Sequence, residues 1–152
     1  MLRDQPNVRF LLVGDGALRP EIEASARELG IEKNVVFAGA RTDVPRLMLG
    51  AMDVFLFPSL REGLGLSVVE AQAAGLPCLV SEVVPRDACV VAGAVSYASV
   101  GEGAVSWTRQ LIALLGKGRV EHSVALNSVT QSEFNIDKSC STLARLYSGS
   151  IQ

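Results

Sequence analysis

Apolar positions along the chain follow two rhythms. Short, nearly continuous apolar runs fall at residues 8–13, 35–38, 53–57, 77–81 and 94–98, the pattern of strands buried on both faces in a parallel sheet. Apolar positions at helical spacing mark residues 18–29, 42–50, 66–74, 101–115, 119–132 and 137–147; in the fourth of these they are Val105, Leu111, Ile112, Leu114 and Leu115. Punctuation agrees with the rhythms. Pro20 and Glu21 open the first helix and Gly30 stands just past its end. Thr42 or Asp43 can cap the second, with Pro45 in its first turn, Gly75 ends the third, and Gly116-Lys117-Gly118 stops the fourth. Strands alternating with helices predict an α/β fold with parallel strands and right-handed crossovers. Residues 1–6 read as the end of a helix cut away.

Composition narrows the class. With 152 residues, 49% of them apolar, the chain can bury a substantial core as one domain over 1–152. The formal charge of −2, with 14 basic residues scattered, and the 5% aromatic content argue against a nucleic-acid platform and a polybasic membrane anchor. The apolar run 88–95 is too short to span a bilayer, and no secretory signal opens the chain. Cys78, Cys89 and Cys140 are odd in number and lack metal spacing, so they are read as cytosolic thiols, Cys78 within a strand. His122 has no partner at ligand spacing, and no metal site is expected; His122 is read as a surface residue and Trp107 as core.

The unusual chemistry sits between Phe57 and Ala71. An apolar strand passes through a glycine-bearing loop into an apolar helix, and the N–H groups and dipole at a helix start suit a phosphate. Glu62 and Glu70 flank that point. On one continuous helix, eight residues apart would leave them about 80° apart around the axis, a poor geometry for sharing a small ligand. With Glu62 in the loop, the two can take opposite ends of an extended ligand whose phosphates lie between. Each carboxylate is a strong acceptor for sugar hydroxyls. A second glycine pair, Gly14 and Gly16, follows the first strand, but Arg19 stands where a dinucleotide fingerprint needs its third glycine, so a plain strand-to-helix turn is preferred.

Glu62-Gly63-Leu64-Gly65-Leu66, three further residues and Glu70 resemble the E-x7-E motif of retaining glycosyltransferases with the GT-B fold, group 1 or family 4. Leu11-Leu12-Val13-Gly14-Asp15-Gly16, Val35-Val36-Phe37-Ala38-Gly39, Met52 to Ser59 and Ala74-Gly75-Leu76-Pro77 fall in that family's order. The resemblance implies a donor-binding C-terminal domain taking a nucleoside-diphosphate sugar, with no bound cofactor or metal. Glu62 becomes the catalytic-site residue, contacting a hydroxyl of the transferred sugar, and Glu70 would bind the ribose. Gly63, Leu64, Gly65, Leu66 and Ser67 would meet the sugar and distal phosphate; Ala40 and Arg41 would be candidate contacts to the base, with Arg41 equally readable as a solvated loop charge, and Gly14 would face the cleft. Val83-Val84-Pro85-Arg86-Asp87 departs from the glycine pair and glutamate usual at that place, so no donor contact is carried over there.

By the same resemblance, the first strand of the domain, the Arg and Lys that hold the pyrophosphate, and the acceptor-binding N-terminal domain lie before Met1. Closing the central gap then predicts a Rossmann-like three-layer sandwich with a five-stranded, mostly parallel sheet in the order 2-1-3-4-5, helices on both faces, and no strand exchange between copies. Expected partners are a nucleotide sugar and the N-terminal domain, with no nucleic acid and no membrane span; the expected location is cytoplasmic, and a homodimer and peripheral membrane attachment through the other half are compatible with it. Polysaccharide or glycoconjugate synthesis is the expected setting, and the isolated chain is expected to be inactive. Two other readings stay open from the residues alone: a nucleotide- or sugar-binding module without catalysis, and a structural α/β interaction domain with Glu62 and Glu70 as solvated charges.

Overall fold

The computed structural model describes residues 5–149; residues 1–4 of the expected helix tail lie outside them. The chain divides after Leu47 into two compact units.

In the first unit, β1 (Phe10–Val13) runs into a glycine turn and then α1 (Arg19–Glu28), with Pro20 in the first helical turn. Gly30 donates to the Arg27 carbonyl and closes the helix, as the sequence predicts. β2 (Val35–Gly39) pairs in parallel with β1, from Phe10 opposite Val35 to Val13 opposite Gly39. The first strand begins at Phe10 rather than at residue 8, because the backbone before it is held differently: Asn34 Nδ2 donates to the carbonyls of Pro6 and Val8, at 3.2 and 2.9 Å. α2 (Val44–Gly50) starts in this unit and ends in the next. Its first turn uses the Asp43 carbonyl, which accepts from Arg46 and Leu47, while the Asp43 carboxylate is engaged by Arg41.

The second unit is a three-stranded parallel sheet, β3 (Phe55–Phe57), β4 (Cys78–Ser81) and β5 (Val95–Ala98), with β4 in the centre. All four β4 residues are fully buried. Side chains alternate between faces, so a strand buried throughout is covered on both. α3 (Leu66–Ala73) and α4 (Gly103–Lys117) both pack on β4. α5 (His122–Thr130) packs on α3 and places Ala125 in a cluster with Val91 and Ala94. α6 (Ile136–Tyr147) ends the described chain, its N-terminus capped by the Asn135 side chain.

Two expectations are corrected. A single five-stranded sheet in the order 2-1-3-4-5 is not found among the described residues: the ladders are β1–β2 in the first unit and β3–β4–β5 in the second. The fifth helix starts at His122, not Arg119. The Arg119 guanidinium is drawn out of helical register to the carbonyls of Ala74, Met48 and Met52. Glu121 then caps α5, its carboxylate accepting from the amides of Ser123 and Val124. The Ser123 hydroxyl and those amides hold the Glu121 carboxyl below the usual carboxylate range.

Cys78 lies wholly inside, and burial, with a smaller contribution from Cys89, pushes its thiol up to about 12. Cys89 and Cys140 are exposed. At neutral pH the native chain should therefore expose two thiols to an aromatic disulfide reagent and release the third only on denaturation. Three fast-reacting thiols would place Cys78 outside the core.

Candidate functional site

The Glu62–Glu70 stretch lies in the second unit. Ser81, buried at the end of β4, donates its hydroxyl to the Ser59 carbonyl at 2.6 Å and fixes where the chain leaves β3. Ser59 in turn donates to the Arg61 carbonyl at 2.7 Å and tightens the next turn. Glu62 is in the loop, half-buried, as its spacing from Glu70 requires. One of its carboxylate oxygens, Oε1, accepts from the amides of Gly63 and Gly65, at 3.0 and 3.2 Å. Oε2 has no partner among the described residues.

Gly65 is the N-cap of α3 and has φ 76°. A side chain is disfavoured in this left-handed region. A methyl added there would also lie 3.4 Å from Val84 and 3.5 Å from Ala88. The Gly65 carbonyl accepts from Val68 and Val69, starting the helix. The amides of Leu66 and Ser67, at the positive end of the helix, meet no acceptor among the described residues. One turn on, Glu70 is exposed and its carboxylate is unpaired among the described residues. The loop thus brings together two free amides, a positioned carboxylate and a free one. Gly63, Leu64 and Leu66 border it from exposed positions, and Ser67 from a half-buried one.

The chain belongs to the glycosyl transferases group 1, whose family model matches residues 1–117. A Bacillus subtilis (strain 168) protein described as "Putative glycosyltransferase EpsF" is 33% identical over 142 residues, 92% of this chain and 37% of that protein. An Escherichia coli UDP-Gal:alpha-D-GlcNAc-diphosphoundecaprenol alpha-1,3-galactosyltransferase is 40% identical over 79 residues, 51% of this chain and 20% of its own length. The fold is shared with Anabaena HepE, solved in complex with UDP and glucose: TM-score 0.68, 24% identity, covering 93% of this chain and 41% of HepE. The chain therefore spans less than half the length of each of these proteins.

In this group 1 chain the other three predicted positions, Gly14, Ala40 and Arg41, lie in the first unit. Gly14 follows β1 and donates to the Gly39 carbonyl at 2.8 Å. It borders a shallow groove of about 420 Å³ with Leu12, Leu18, Arg19, Ile22 and Phe37. Arg19 is held there by Glu23 at 2.8 Å and lies 5.8 Å from the centre of the Phe37 ring. Ala40 is exposed after β2. Arg41 is not a free cation: its Nε and Nη2 donate to the two Asp43 oxygens, both at 2.7 Å. The hydrogen bond and charge of Arg41 hold the Asp43 carboxyl below its usual range. A ligand would have to share the Arg41 guanidinium with Asp43.

Sequence reasoning missed Gln72, which is fully buried. Its Nε2 donates to the carbonyls of Val68 and Ala88, at 3.1 and 2.6 Å, and its Oε1 accepts from Val90 and Val91, both at 3.0 Å. The available signal was a polar residue four positions after Val68 on the apolar face of α3. Among the described residues no cluster of three or more histidine, cysteine or carboxylate groups could hold a metal ion, and no helix is long and apolar enough to cross a membrane.

Proposed function

We propose that the chain is the donor-binding half of a retaining glycosyltransferase that takes its sugar from a nucleoside-diphosphate sugar, in polysaccharide or glycoconjugate synthesis. The observation that carries this is the start of α3: the unpaired amides of Leu66 and Ser67 lie between the oriented carboxylate of Glu62 and the free one of Glu70. The similarity to a UDP-galactose enzyme of Escherichia coli supports the donor class, and HepE, which shares the fold, was solved with UDP and glucose.

On this reading the distal phosphate takes the amides at the positive end of the helix. Glu70 accepts from the ribose hydroxyls. Glu62 is fixed through Oε1 by its own loop and offers Oε2 to a hydroxyl of the transferred sugar. As the bond from sugar to phosphate breaks, negative charge grows on the leaving phosphate, and amides already in place stabilise it without rearrangement. The two glutamates bind and orient, and neither is the acid or base of a hydrolase. No cofactor or metal is called for, and the acceptor is bound by a part of the enzyme beyond this chain.

Calorimetric titration with UDP, GDP and ADP tests the reading. A charge-assisted hydrogen bond contributes about 1.5–3 kcal/mol, so Glu70→Ala should weaken binding of the preferred nucleotide about 10- to 100-fold. Unchanged affinity would remove Glu70 from the site. No binding of any of the three at millimolar concentration would contradict the proposal.

A further inference from the structure

Between the end of β4 at Ser81 and Ala94 the backbone belongs to no sheet, yet Val84, Ala88 and Val91 of this segment are almost wholly buried. Buried backbone groups need partners. Local turns supply some: Val84 donates to Ser81, Ala88 to Pro85 and Cys89 to Arg86. Three others are met by one side chain. The Gln72 amide takes the Ala88 carbonyl and the Val90 and Val91 amides, and with the Val68 carbonyl uses both ends fully.

The same segment touches the proposed site. Val84 and Ala88 stand 3.4 and 3.5 Å from where a side chain on Gly65 would begin. They wall in the residue whose left-handed conformation sets the direction of α3 and its free amides. Glycine holds no conformation by itself, so the wall restricts it.

We infer that Gln72 is a positioning residue for the donor-binding turn: its amide fixes segment 84–91 to α3, and Val84 and Ala88 hold Gly65 in the conformation that presents the Leu66 and Ser67 amides. The inference rests on the donor-binding reading above. Gln72 touches no ligand. It acts by ordering the turn beforehand, so that binding does not have to.

The test uses the 152-residue chain, UDP as probe, calorimetry for affinity and amide hydrogen exchange for order. Gln72→Leu keeps an apolar helix face and removes all four bonds. Exchange protection at Val90 and Val91 should be lost and that of α5 kept, while UDP binding weakens about tenfold, the cost of ordering the turn on binding. Lost protection with wild-type affinity overturns the positioning role, and retained protection overturns the claim that Gln72 fixes the segment. If Gln72→Leu fails to fold, Gln72→Glu carries the test. Its neutral carboxyl can donate to the Ala88 carbonyl and accept from Val90 and Val91, whereas the ionised form cannot donate. Its UDP affinity relative to wild type at each pH should therefore recover as the pH is lowered, and a flat ratio overturns the inference. A wild-type chain that binds no UDP overturns the donor-binding reading itself, an outcome distinct from any change at Gln72.

Discussion

Gly75→Ala is expected to be the most damaging single-methyl change in the chain. Gly75 follows α3 with φ 76°, where a side chain costs about 1–2 kcal/mol. The new Cβ would also clash with the Val120 carbonyl oxygen. That oxygen cannot swing aside as a long side chain could, because the Val120 amide donates back to the Gly75 carbonyl at 2.9 Å. Overpacking of this kind costs typically 1–3 kcal/mol, which brings the loss to about 2–5 kcal/mol. Gly30→Ala is the control. Gly30 has φ 66° and nothing within 4 Å of an added methyl, so only the conformational cost applies, about 1–2 kcal/mol. Denaturant unfolding of both variants measures the difference. Equal losses would show that the Val120 contact gives way freely.

The second large effect is expected at Arg119. Its guanidinium donates to Ala74 at 3.1 Å, to Met48 at 2.8 Å and to Met52. Met48 lies in the last turns of α2 and Ala74 is the C-cap of α3, so the carbonyls are ones a helix end leaves without intrahelical partners. A cation there also complements the negative end of both helices. Hydrogen bonds to charged groups contribute about 1.5–3 kcal/mol each, but the site is partly open to water and a carbonyl that loses its partner can be hydrated; Arg119→Met should therefore cost about 2–4 kcal/mol in all. Arg119→Lys should recover less than half, because one ammonium lacks the planar fork that reaches several carbonyls at once. Unfolding curves with an unchanged denaturant slope would assign the loss to the native state. A lysine variant as stable as wild type would show that charge alone suffices.

What the sequence disclosed and what it hid divide along one physical line. Features set by neighbours in the chain were legible. The strand and helix alternation, the glycine after α1 and the loop position of Glu62 followed from periodicity, φ preference and the angle between helix positions. The strong motif residues Glu62, Gly65 and Glu70 stand at one loop and one helix start. Features set by distant partners were not. Arg119 reads as a helix residue until the carbonyls of Met48, Met52 and Ala74 claim it, 45 to 71 positions away. Gln72 reads as an ordinary helical polar residue until segment 84–91 folds over it. Arg41 reads as an open loop charge until Asp43 pairs with it.

The donor-binding claim is tested most directly by amide chemical shifts of the uniformly labelled chain during titration with UDP. Binding at the start of α3 should move Gly65, Leu66 and Ser67 together and saturably, leave α5 and α6 in place, and need about 10- to 100-fold more UDP in Glu70→Ala. Saturable shifts confined to another surface, or no shifts at millimolar UDP, would contradict the account.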